Sequence, residues 1–336
     1  MRTRRLISSS DPVPSAASDE ASAGQSHGHR PQLNEGVLTG HKPVLLHEAV
    51  EQLLIRPDDV VLDATLGGAG HARAIAKILR QNGMLIGIDA DRSAVARAKD
   101  ALKDFREPEI HLAESNFRDL SSLLGKLGVK IINKALFDLG WSGYQLDSGR
   151  GFSFLKDEPL LMTYSANTGP DALTAGEIVN EWKEENIADV IFGWGEERYS
   201  RRIAKKIVER RMRAPIRTSR ELGELIKEAV PPAYARGRIH PATRTFQALR
   251  IAVNDELGAL KSGLQSAWAH LAPGGRIAVI TFHSVEDREV KKLMADWEKE
   301  GVGKRITRSP IRAAKAETTA NPRARSAKLR VIERNF

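Results

Sequence analysis

From residue 41 onward, short apolar segments alternate with segments whose apolar residues recur at helical spacing. Four of the apolar segments have the length of buried strands, namely "DVVLDA", "MLIGIDA", "EIHLAE" and "IINKALFDLG". Helical patterns precede the first segment and separate the others, at residues 43–54, 71–79 and 93–102 and near Leu120. This alternation predicts an α/β fold with a parallel sheet covered by helices on both faces.

The alternation stops after Gly140. A loop rich in glycine and serine extends to about Pro170, and only helical patterns follow up to about residue 239. A long amphipathic helix is then predicted over residues 243–271, because the Pro-Gly-Gly sequence after it ends a helical pattern. The strand "RIAVITFHS" comes next, and "AKLRVIER" near the C-terminus alternates like an edge strand.

This pattern divides the chain into three regions. Residues 41–145 and 240–336 together form one discontinuous Rossmann-like domain, and residues 146–239 form an all-helical insert that we expect to recognise the substrate. Residues 1–40 contain few large apolar side chains, which indicates a disordered tail. The tail lacks the apolar core of a secretory signal, and no stretch of ~18 apolar residues predicts a membrane span.

The composition adds an imbalance of charge. Lysine and arginine number 52 against 43 aspartates and glutamates, which gives a net charge of +9. A basic chain of this kind often binds a polyanion, most commonly a nucleic acid. The chain contains no cysteine, which excludes disulfides, thiolate metal sites and a cysteine nucleophile. We predict no metal site.

A glycine cluster lies between the first predicted strand and the helix after it, in "VVLDATLGGAGHARAIAKIL". A phosphate-binding Walker loop would require Lys and Ser or Thr after the last glycine, but Gly70 is followed by His71 and Ala72. A dinucleotide turn would require the spacing G-x-G-x-x-G, which Gly67, Gly68 and Gly70 fit only in part. Neither of these two ligands matches the turn.

A third ligand, S-adenosylmethionine (SAM), needs close backbone approach and a carboxylate at the end of the first strand. Asp63 stands at that position. Asp89 ends the second strand, where a carboxylate can accept both ribose hydroxyls, and Phe117 follows the third, where a ring can lie against adenine. A tight strand-to-helix turn for the glycines and helix capping for the two acids are the alternatives without a ligand. The combination favours SAM.

Six stretches of the chain resemble the bacterial 16S rRNA cytidine-N4 methyltransferases, the RsmH or MraW family. They are "HKPVLLHEAV", "DATLGGAGHA", "DLGWSGYQLDSGRGFSF", "HPATRTFQALRIAVNDEL", "FHSVEDREVK" and "NPRARSAKLR". The resemblance implies a SAM-dependent methyltransferase sheet with a helical insert, and methyl transfer to N4 of a decoding-centre cytidine in 16S rRNA. It also implies SAM contacts at Ala69, Gly70, His71, Asp89, Phe117, Asp138 and Gln145. Ala69 departs from the glycine that the family usually has there.

Two residues at strand ends are candidates for catalysis. Asp138 ends the fourth predicted strand, where open α/β sheets place ligand-binding groups. A carboxylate there can accept a proton from the exocyclic amine of cytosine, or it can contact SAM. His283 ends the strand "RIAVITFHS", so it can face the target base or serve a structural role. Ser284 and Asp287 resemble a capping box, which would make both of them structural.

Two features predict contacts with RNA. Thr243, Gln247, Arg250 and Asn254 recur at helical spacing and form one polar face, from which we take Arg250 as an RNA contact. Between Lys304 and Arg330, nine basic residues accompany a single acid. Such an unbalanced run suits phosphate contacts, which we assign to Arg323, Arg325 and Lys328.

Other classes of protein fit the sequence less well. DNA amino-methyltransferases carry an Asp/Asn-Pro-Pro-aromatic signature where this chain reads "DLGW", and base deaminases need a zinc site with cysteines. A non-enzymatic RNA-binding protein on a methyltransferase scaffold stays open. We expect a cytoplasmic enzyme whose partner is 16S rRNA or the assembled small ribosomal subunit. The sequence leaves open whether the enzyme is a monomer or a dimer.

Overall fold

A seven-stranded sheet lies at the centre of the structure, a computed structural model that describes residues 42–140, 146–165, 169 and 172–336. The strands follow one another in the order β3-β2-β1-β4-β5-β7-β6. Their bounds are β1 Val60–Asp63, β2 Met84–Asp89, β3 Glu109–Glu114, β4 Ile132–Asp138, β5 Leu271–Thr281, β6 Gly303–Arg305 and β7 Lys328–Arg334. The α/β prediction is confirmed.

The sheet is parallel in its first five strands only. Strand β7 runs antiparallel to both of its neighbours, β5 and β6. The prediction of an edge strand at residues 327–334 is therefore wrong, because β7 is interior and its residues Leu329 and Val331 are fully buried. The edge is the three-residue strand β6, which is too short to give an alternating pattern.

Helices cover both faces of this sheet. Those that pack around the strands are α1 Leu46–Leu53, α2 Gly70–Ala76, α3 Arg92–Leu102, α4 Leu120–Lys126, α11 Glu256–His270, α12 Ser284–Lys299 and α13 Lys315–Ala320. Between β4 and β5 the chain forms α5 Ala175–Glu181, α6 Glu184–Gly195, α7 Ser200–Arg211, α8 Ser219–Ala229, α9 Pro232–Ala235 and α10 Ala242–Asn254. None of the helices in the described residues is both long and apolar enough to cross a membrane.

The buried apolar side chains form three clusters. Alternate residues of β1 point to opposite faces of the sheet, so Val61 joins one cluster and Leu62 another. The third cluster belongs to the segment between β4 and β5, where Ile178, Ile203 and Leu249 pack together from three different helices. The helical segment thus has a core of its own, and the domain boundaries at residues 146 and 239 stay predictions.

The single helix predicted over residues 243–271 is wrong. The structure has two helices, α10 and α11, which meet at Asp255 in a left-handed conformation with a φ of 44°. The guanidinium of Arg118 donates hydrogen bonds to the carbonyls of Asn254 and Asp255, both at 3.3 Å. These bonds give the carbonyls at the end of α10 a donor. Apolar spacing continues on both sides of the joint, so periodicity alone does not reveal the break.

Candidate active site

The carboxyl ends of β1, β2 and β4 meet where the strand order reverses, which is the usual ligand position in open α/β sheets. A cavity opens at this point, and we call it the first cavity. Its lining includes residues of the glycine turn, residues at the ends of strands and one phenylalanine. Among them are Thr65, Gly67, Gly70, Asp89, Phe117 and Asp138. Thr65 and Asp138, 73 positions apart in the sequence, therefore meet around one space, as the pattern of strand-end acids predicts.

The glycine turn makes close contacts that explain its composition. Gly67 has a positive φ of 48°, and a side chain at Gly70 would place its Cβ 2.8 Å from the ring of Pro43. Ala69 also has a positive φ, of 60°, which costs an L-residue about 1–2 kcal/mol. The chain tolerates this strain at a position where the family that the sequence resembles usually has glycine. The turn brings backbone, rather than side chains, to the edge of the first cavity.

Asp89 holds this turn in place. Its two carboxylate oxygens accept hydrogen bonds from the Gly67 N–H at 2.9 Å and from the Asp91 N–H at 2.8 Å. Burial raises the pKa of Asp89, although these two backbone donors act in the opposite direction. The carboxylate also lines the first cavity, so it is positioned both to shape the turn and to contact a ligand.

Phe117 forms the apolar side of the first cavity. Its ring meets Phe137 edge-on, with centroids 5.8 Å apart. The ring also lies close to α11, where a side chain at Gly263 would come within 2.7 Å of it. The ring is thus wedged between the sheet and a helix, in a fixed orientation toward the cavity.

Three other predicted SAM contacts lie elsewhere or outside the described residues. Asp63 and Ala69 are buried but do not line the first cavity. One oxygen of Asp63 accepts from Thr65 N–H at 3.1 Å, and burial raises its pKa well above the usual range. Gln145 falls outside the described residues. The assignment of these three to SAM stays a prediction.

Asp138 lies at the end of β4 beside His71. Its Oδ2 is 3.5 Å from His71 Nδ1, and its Oδ1 accepts from the Gly140 N–H at 3.3 Å. Its own N–H donates to Thr65 Oγ1 at 2.7 Å, which ties the ends of β1 and β4 together. Burial raises the pKa of Asp138 to about 7; the Gly140 N–H lowers it and the charge of Glu286 raises it further. A carboxyl group with this pKa can exchange a proton near neutral pH.

A second cavity shares part of its lining with the first. Asp138, Leu139, Gly140 and Glu286 line both cavities, and we call these four residues the shared wall. The rest of the second cavity includes four phenylalanines, Phe152, Phe154, Phe246 and Phe282, together with polar residues such as Gln247 and Arg323. The polar face predicted on the helix is confirmed in part, since Thr243, Gln247 and Arg250 line this cavity and Asn254 lines the first.

Arg250 is engaged within the protein. Its guanidinium binds both oxygens of Glu256, at 2.8 and 2.9 Å, and its exposed fraction is only 7%. Tyr164 donates its hydroxyl to the same carboxylate at 2.7 Å. The assignment of Arg250 to RNA stays a prediction, but a guanidinium in this position serves first to hold α10, α11 and the loop of Tyr164 together.

His283 caps helix α12. Its Nδ1 accepts from the Glu286 N–H at 3.3 Å, and its Nε2 lies 2.9 Å from the Glu286 carboxylate, which in turn accepts from the His283 N–H. The predicted capping box at Ser284 and Asp287 is therefore wrong by one residue. Because both ring nitrogens of His283 are close to Glu286, the ring has a clear structural role, and catalysis by His283 stays a prediction.

The sequence reasoning missed Glu256, Glu286 and Tyr164. Glu256, His283 and Glu286 bring one potential ligand atom each within 4.8 Å of one another. Arg250 contacts Glu256 and lies 4.0 Å from Glu286, so a guanidinium already balances these carboxylates. The capping position of Glu286, three residues after a strand-end histidine, is the one signal that could have identified any of the three.

The predicted phosphate contacts fall into two groups. Arg323 and Arg325 are exposed, and Arg323 lines the second cavity. Lys328 donates to Asp287 at 2.9 Å, next to the buried pair of Arg330 and Asp287. The structure thus leaves Arg323 and Arg325 facing outward, whereas Lys328 is already paired with an acid.

A sequence model described as the MraW methylase family matches residues 38–335. Three proteins named ribosomal RNA small subunit methyltransferase H are similar over most of their length. The one from Brevibacillus brevis is 47% identical over 310 residues, covering 88% of this chain and 98% of that protein. The one from Symbiobacterium thermophilum is 46% identical, covering 87% and 96%. The one from Deinococcus radiodurans is 48% identical, covering 88% and 89%.

Proposed function

The chain belongs to the MraW methylase family, and from that premise we propose that it transfers a methyl group from SAM to N4 of a decoding-centre cytidine in small-subunit rRNA. The observation that carries the proposal is the position of Asp138. This carboxylate lies at the end of β4, lines the first cavity beside the glycine turn, and also lines the second cavity. A single acid thus has access to both a methyl donor and an acceptor.

The first cavity has the chemistry that SAM requires. Asp89 can accept the ribose hydroxyls, the Phe117 ring offers an apolar surface to adenine, and the backbone of Gly67 permits close approach. Carboxylates also complement the positive sulfonium and amino groups of SAM. SAM supplies a methyl group that is already activated by the sulfonium, so the protein has mainly to hold the reactants in line.

Asp138 acts on the nucleophile. The exocyclic amine of cytosine is a weak nucleophile, because its lone pair is delocalised into the ring. The Asp138 carboxylate would accept a hydrogen bond from this amine. It would then take the proton that the nitrogen loses as the bond from nitrogen to the methyl carbon forms and the bond from that carbon to the SAM sulfur breaks, which leaves S-adenosylhomocysteine. His71 Nδ1 lies 3.5 Å from the carboxylate, close enough to help orient it.

The absence of cysteine from the sequence favours an exocyclic nitrogen over carbon 5 of the pyrimidine. Carbon-5 methylation normally proceeds through a covalent adduct with a cysteine thiolate. Transfer to the amine requires only an acceptor such as Asp138. RNA that carries tritium on carbon 5 of the target cytosine is therefore expected to retain it during turnover.

The partner in this proposal is 16S rRNA, alone or in the small ribosomal subunit, and the place of action is the cytoplasm. We assign recognition of this substrate to residues 146–239, because Phe152, Phe154, Met162 and Ile239 of this segment line the second cavity. The excess of basic residues supports a polyanionic partner.

Nucleoside mass spectrometry tests the proposal. Small-subunit rRNA from cells that lack this activity is incubated with the protein and SAM, and we expect N4-methylcytidine at one position. The Asp138→Asn protein should give none. Bound SAM without any methylated nucleoside, on either naked RNA or assembled subunits, would contradict the proposal and favour a protein that only binds RNA.

A further inference from the structure

Residues 42–45 lead into helix α1 and form part of the wall of the first cavity; we call them the entry segment. Pro43 lines the first cavity, and the next residue, Val44, lines the second. The Pro43 ring also packs against the glycine turn, so closely that a Cβ at Gly70 would lie 2.8 Å from it. The position of the entry segment therefore determines the shape of the first cavity beside the glycine turn.

Leu45, the last residue of the entry segment, is in an unfavourable conformation. Its backbone has a φ of 54°, in the left-handed region that non-glycine residues rarely adopt. Leu45 occupies the N-cap position of α1, and its apolar side chain makes no capping hydrogen bond. The residue is also fully buried, and a buried backbone N–H requires an acceptor. The surrounding structure must therefore hold it in place.

Glu317 supplies this acceptor. It lies on α13, 272 positions away in the sequence, and its Oε1 accepts a hydrogen bond from the Leu45 N–H at 2.8 Å. Glu317 is also the single acid among the nine bases between Lys304 and Arg330. A carboxylate forms a stronger hydrogen bond with a backbone N–H than a neutral acceptor does. The one acid of the basic run thus holds the start of α1.

Asn321 holds the other end of the entry segment. Its Nδ2 donates to the Lys42 carbonyl at 3.1 Å, and its Oδ1 accepts from the Arg323 N–H at 3.3 Å. The second bond caps the short 3₁₀ helix Pro322–Arg325. One amide side chain therefore joins the entry segment to the C-terminal part of the chain. Glu317 and Asn321 thus bind both ends of the entry segment from the same short stretch of sequence.

We propose that Glu317 and Asn321 are positioning residues for SAM, which hold Pro43 against Gly70 and so keep the first cavity closed beside the glycine turn. Neither residue lines that cavity, so both act through the entry segment. The inference rests on the proposed binding of SAM in the first cavity, and adds that the C-terminal part of the chain determines how tightly the cavity holds it. Loss of either bond lets the entry segment move away from Gly70, which speeds the release of SAM.

Two substitutions of Glu317 test the hydrogen bond itself. Glu317→Ala removes the acceptor, and we expect the Kd and the KM for SAM to rise about 10-fold with kcat at saturating SAM nearly unchanged, because the bond does not touch the reacting atoms. Glu317→Gln keeps an acceptor oxygen at the same reach, and its SAM affinity should stay within about threefold of the wild type. Equal losses in the two variants would show that the charge of Glu317 matters and its hydrogen bond does not, which would overturn the inference.

Asn321→Asp is the second variant, and it carries the test if Glu317→Ala does not fold. The aspartate keeps the oxygen that caps the 3₁₀ helix, but a carboxylate cannot donate to the Lys42 carbonyl. We expect the Kd for SAM to rise about 5-fold. The matched control is Asp296→Ala, which removes an exposed acid on α12 that lines neither cavity and should leave SAM affinity unchanged.

Amide hydrogen exchange shows where the substitution acts. In Glu317→Ala the Leu45 amide should exchange at least ~10-fold faster, whereas the amides of β4 should exchange at the wild-type rate. SAM affinity within about twofold of the wild type in folded Glu317→Ala or Asn321→Asp protein would overturn the inference. If the wild-type protein binds no SAM, the proposed function itself fails, and that result is distinct from variants that bind SAM as well as the wild type does.

Discussion

Both oxygens of the Asp89 carboxylate are bonded to the backbone of the glycine turn and of the loop after β2. We expect Asp89→Ala to weaken SAM binding by about 1.5–3 kcal/mol, the range for a hydrogen bond to a charged group, measured by titration calorimetry. The loss of the bond to Gly67 adds to the effect. The control is Asp100→Ala, at an exposed pair with Lys103, which should leave SAM affinity unchanged. Unchanged affinity in a folded Asp89→Ala protein would contradict the assignment.

The raised pKa of Asp138, about 7, predicts the pH dependence of methyl transfer. Only the ionised carboxylate accepts the proton, so kcat/KM for SAM should increase as the pH rises through about 7 and level off above it. The positive sulfonium of bound SAM favours the ionised form, and the apparent pKa in kcat should therefore be lower than in kcat/KM. A profile that is flat between pH 5.5 and 8.5 would show that Asp138 is not the proton acceptor.

The positions of single site residues could be predicted from the sequence where these residues directly follow a recognisable strand. Asp89 and Asp138 follow buried strands, and the ends of parallel strands meet at one edge, so their convergence follows from the pattern. The pairing of Arg250 with Glu256 could not be predicted in this way. It depends on the break at Asp255, which turns two residues six positions apart toward each other.

At the scale of elements, Asp287 joins the first turn of α12 to β7. It accepts from Arg330 at 2.7 Å and from Lys328 at 2.9 Å; burial raises its pKa, and the two cations outweigh burial and lower it. We expect Asp287→Ala to reduce the free energy of unfolding by about 3–5 kcal/mol, since it leaves the buried Arg330 unpaired. The stabilisation is present at neutral pH and is lost as acid protonates Asp287.

Urea denaturation checks this expectation against an exposed pair. Asp189 and Arg201 form an ion pair with side chains 66% and 69% exposed. Asp189→Ala should therefore change the free energy of unfolding by less than about 1 kcal/mol. Similar losses in the two variants would show that burial of Arg330 does not determine the stability of the joint between α12 and β7.

Helices and strands could be predicted from the sequence where their own periodic pattern determines them. They could not be predicted where contacts with distant parts of the chain determine them. The strands of the parallel part and most helices follow from alternating patterns. The position of β7 inside the sheet does not, because its outer neighbour is a three-residue strand with little pattern of its own. The α12 cap is shifted to His283 because an imidazole nitrogen can accept from a backbone N–H, as serine does in the usual motif.

At the scale of the molecule, the basic residues predict how RNA binding depends on salt. Arg323 and Arg325 are exposed, and each phosphate contact contributes about 0.7–0.9 to the slope of log affinity against log salt. The double variant Arg323→Ala, Arg325→Ala should therefore reduce that slope by about 1.4–1.8, with SAM affinity unchanged. Binding is measured by filter retention at roughly 50–300 mM salt, a range that spans physiological ionic strength.

A control variant makes the salt experiment specific. Arg201→Ala, Arg202→Ala removes two exposed arginines on α7 that line neither cavity. Its slope should equal that of the wild type. If both double variants flatten the slope equally, the RNA spreads over the basic surface and has no preferred contact beside the second cavity.

The shared wall of Asp138, Leu139, Gly140 and Glu286 lines both cavities, so we expect SAM and RNA bound there to be thermodynamically coupled. The factor by which SAM changes the affinity for RNA must equal the factor by which RNA changes the affinity for SAM. In the proposed reaction, methyl transfer removes the positive charge of the sulfonium. We therefore expect the coupling free energy between the two products to differ from that between the two substrates.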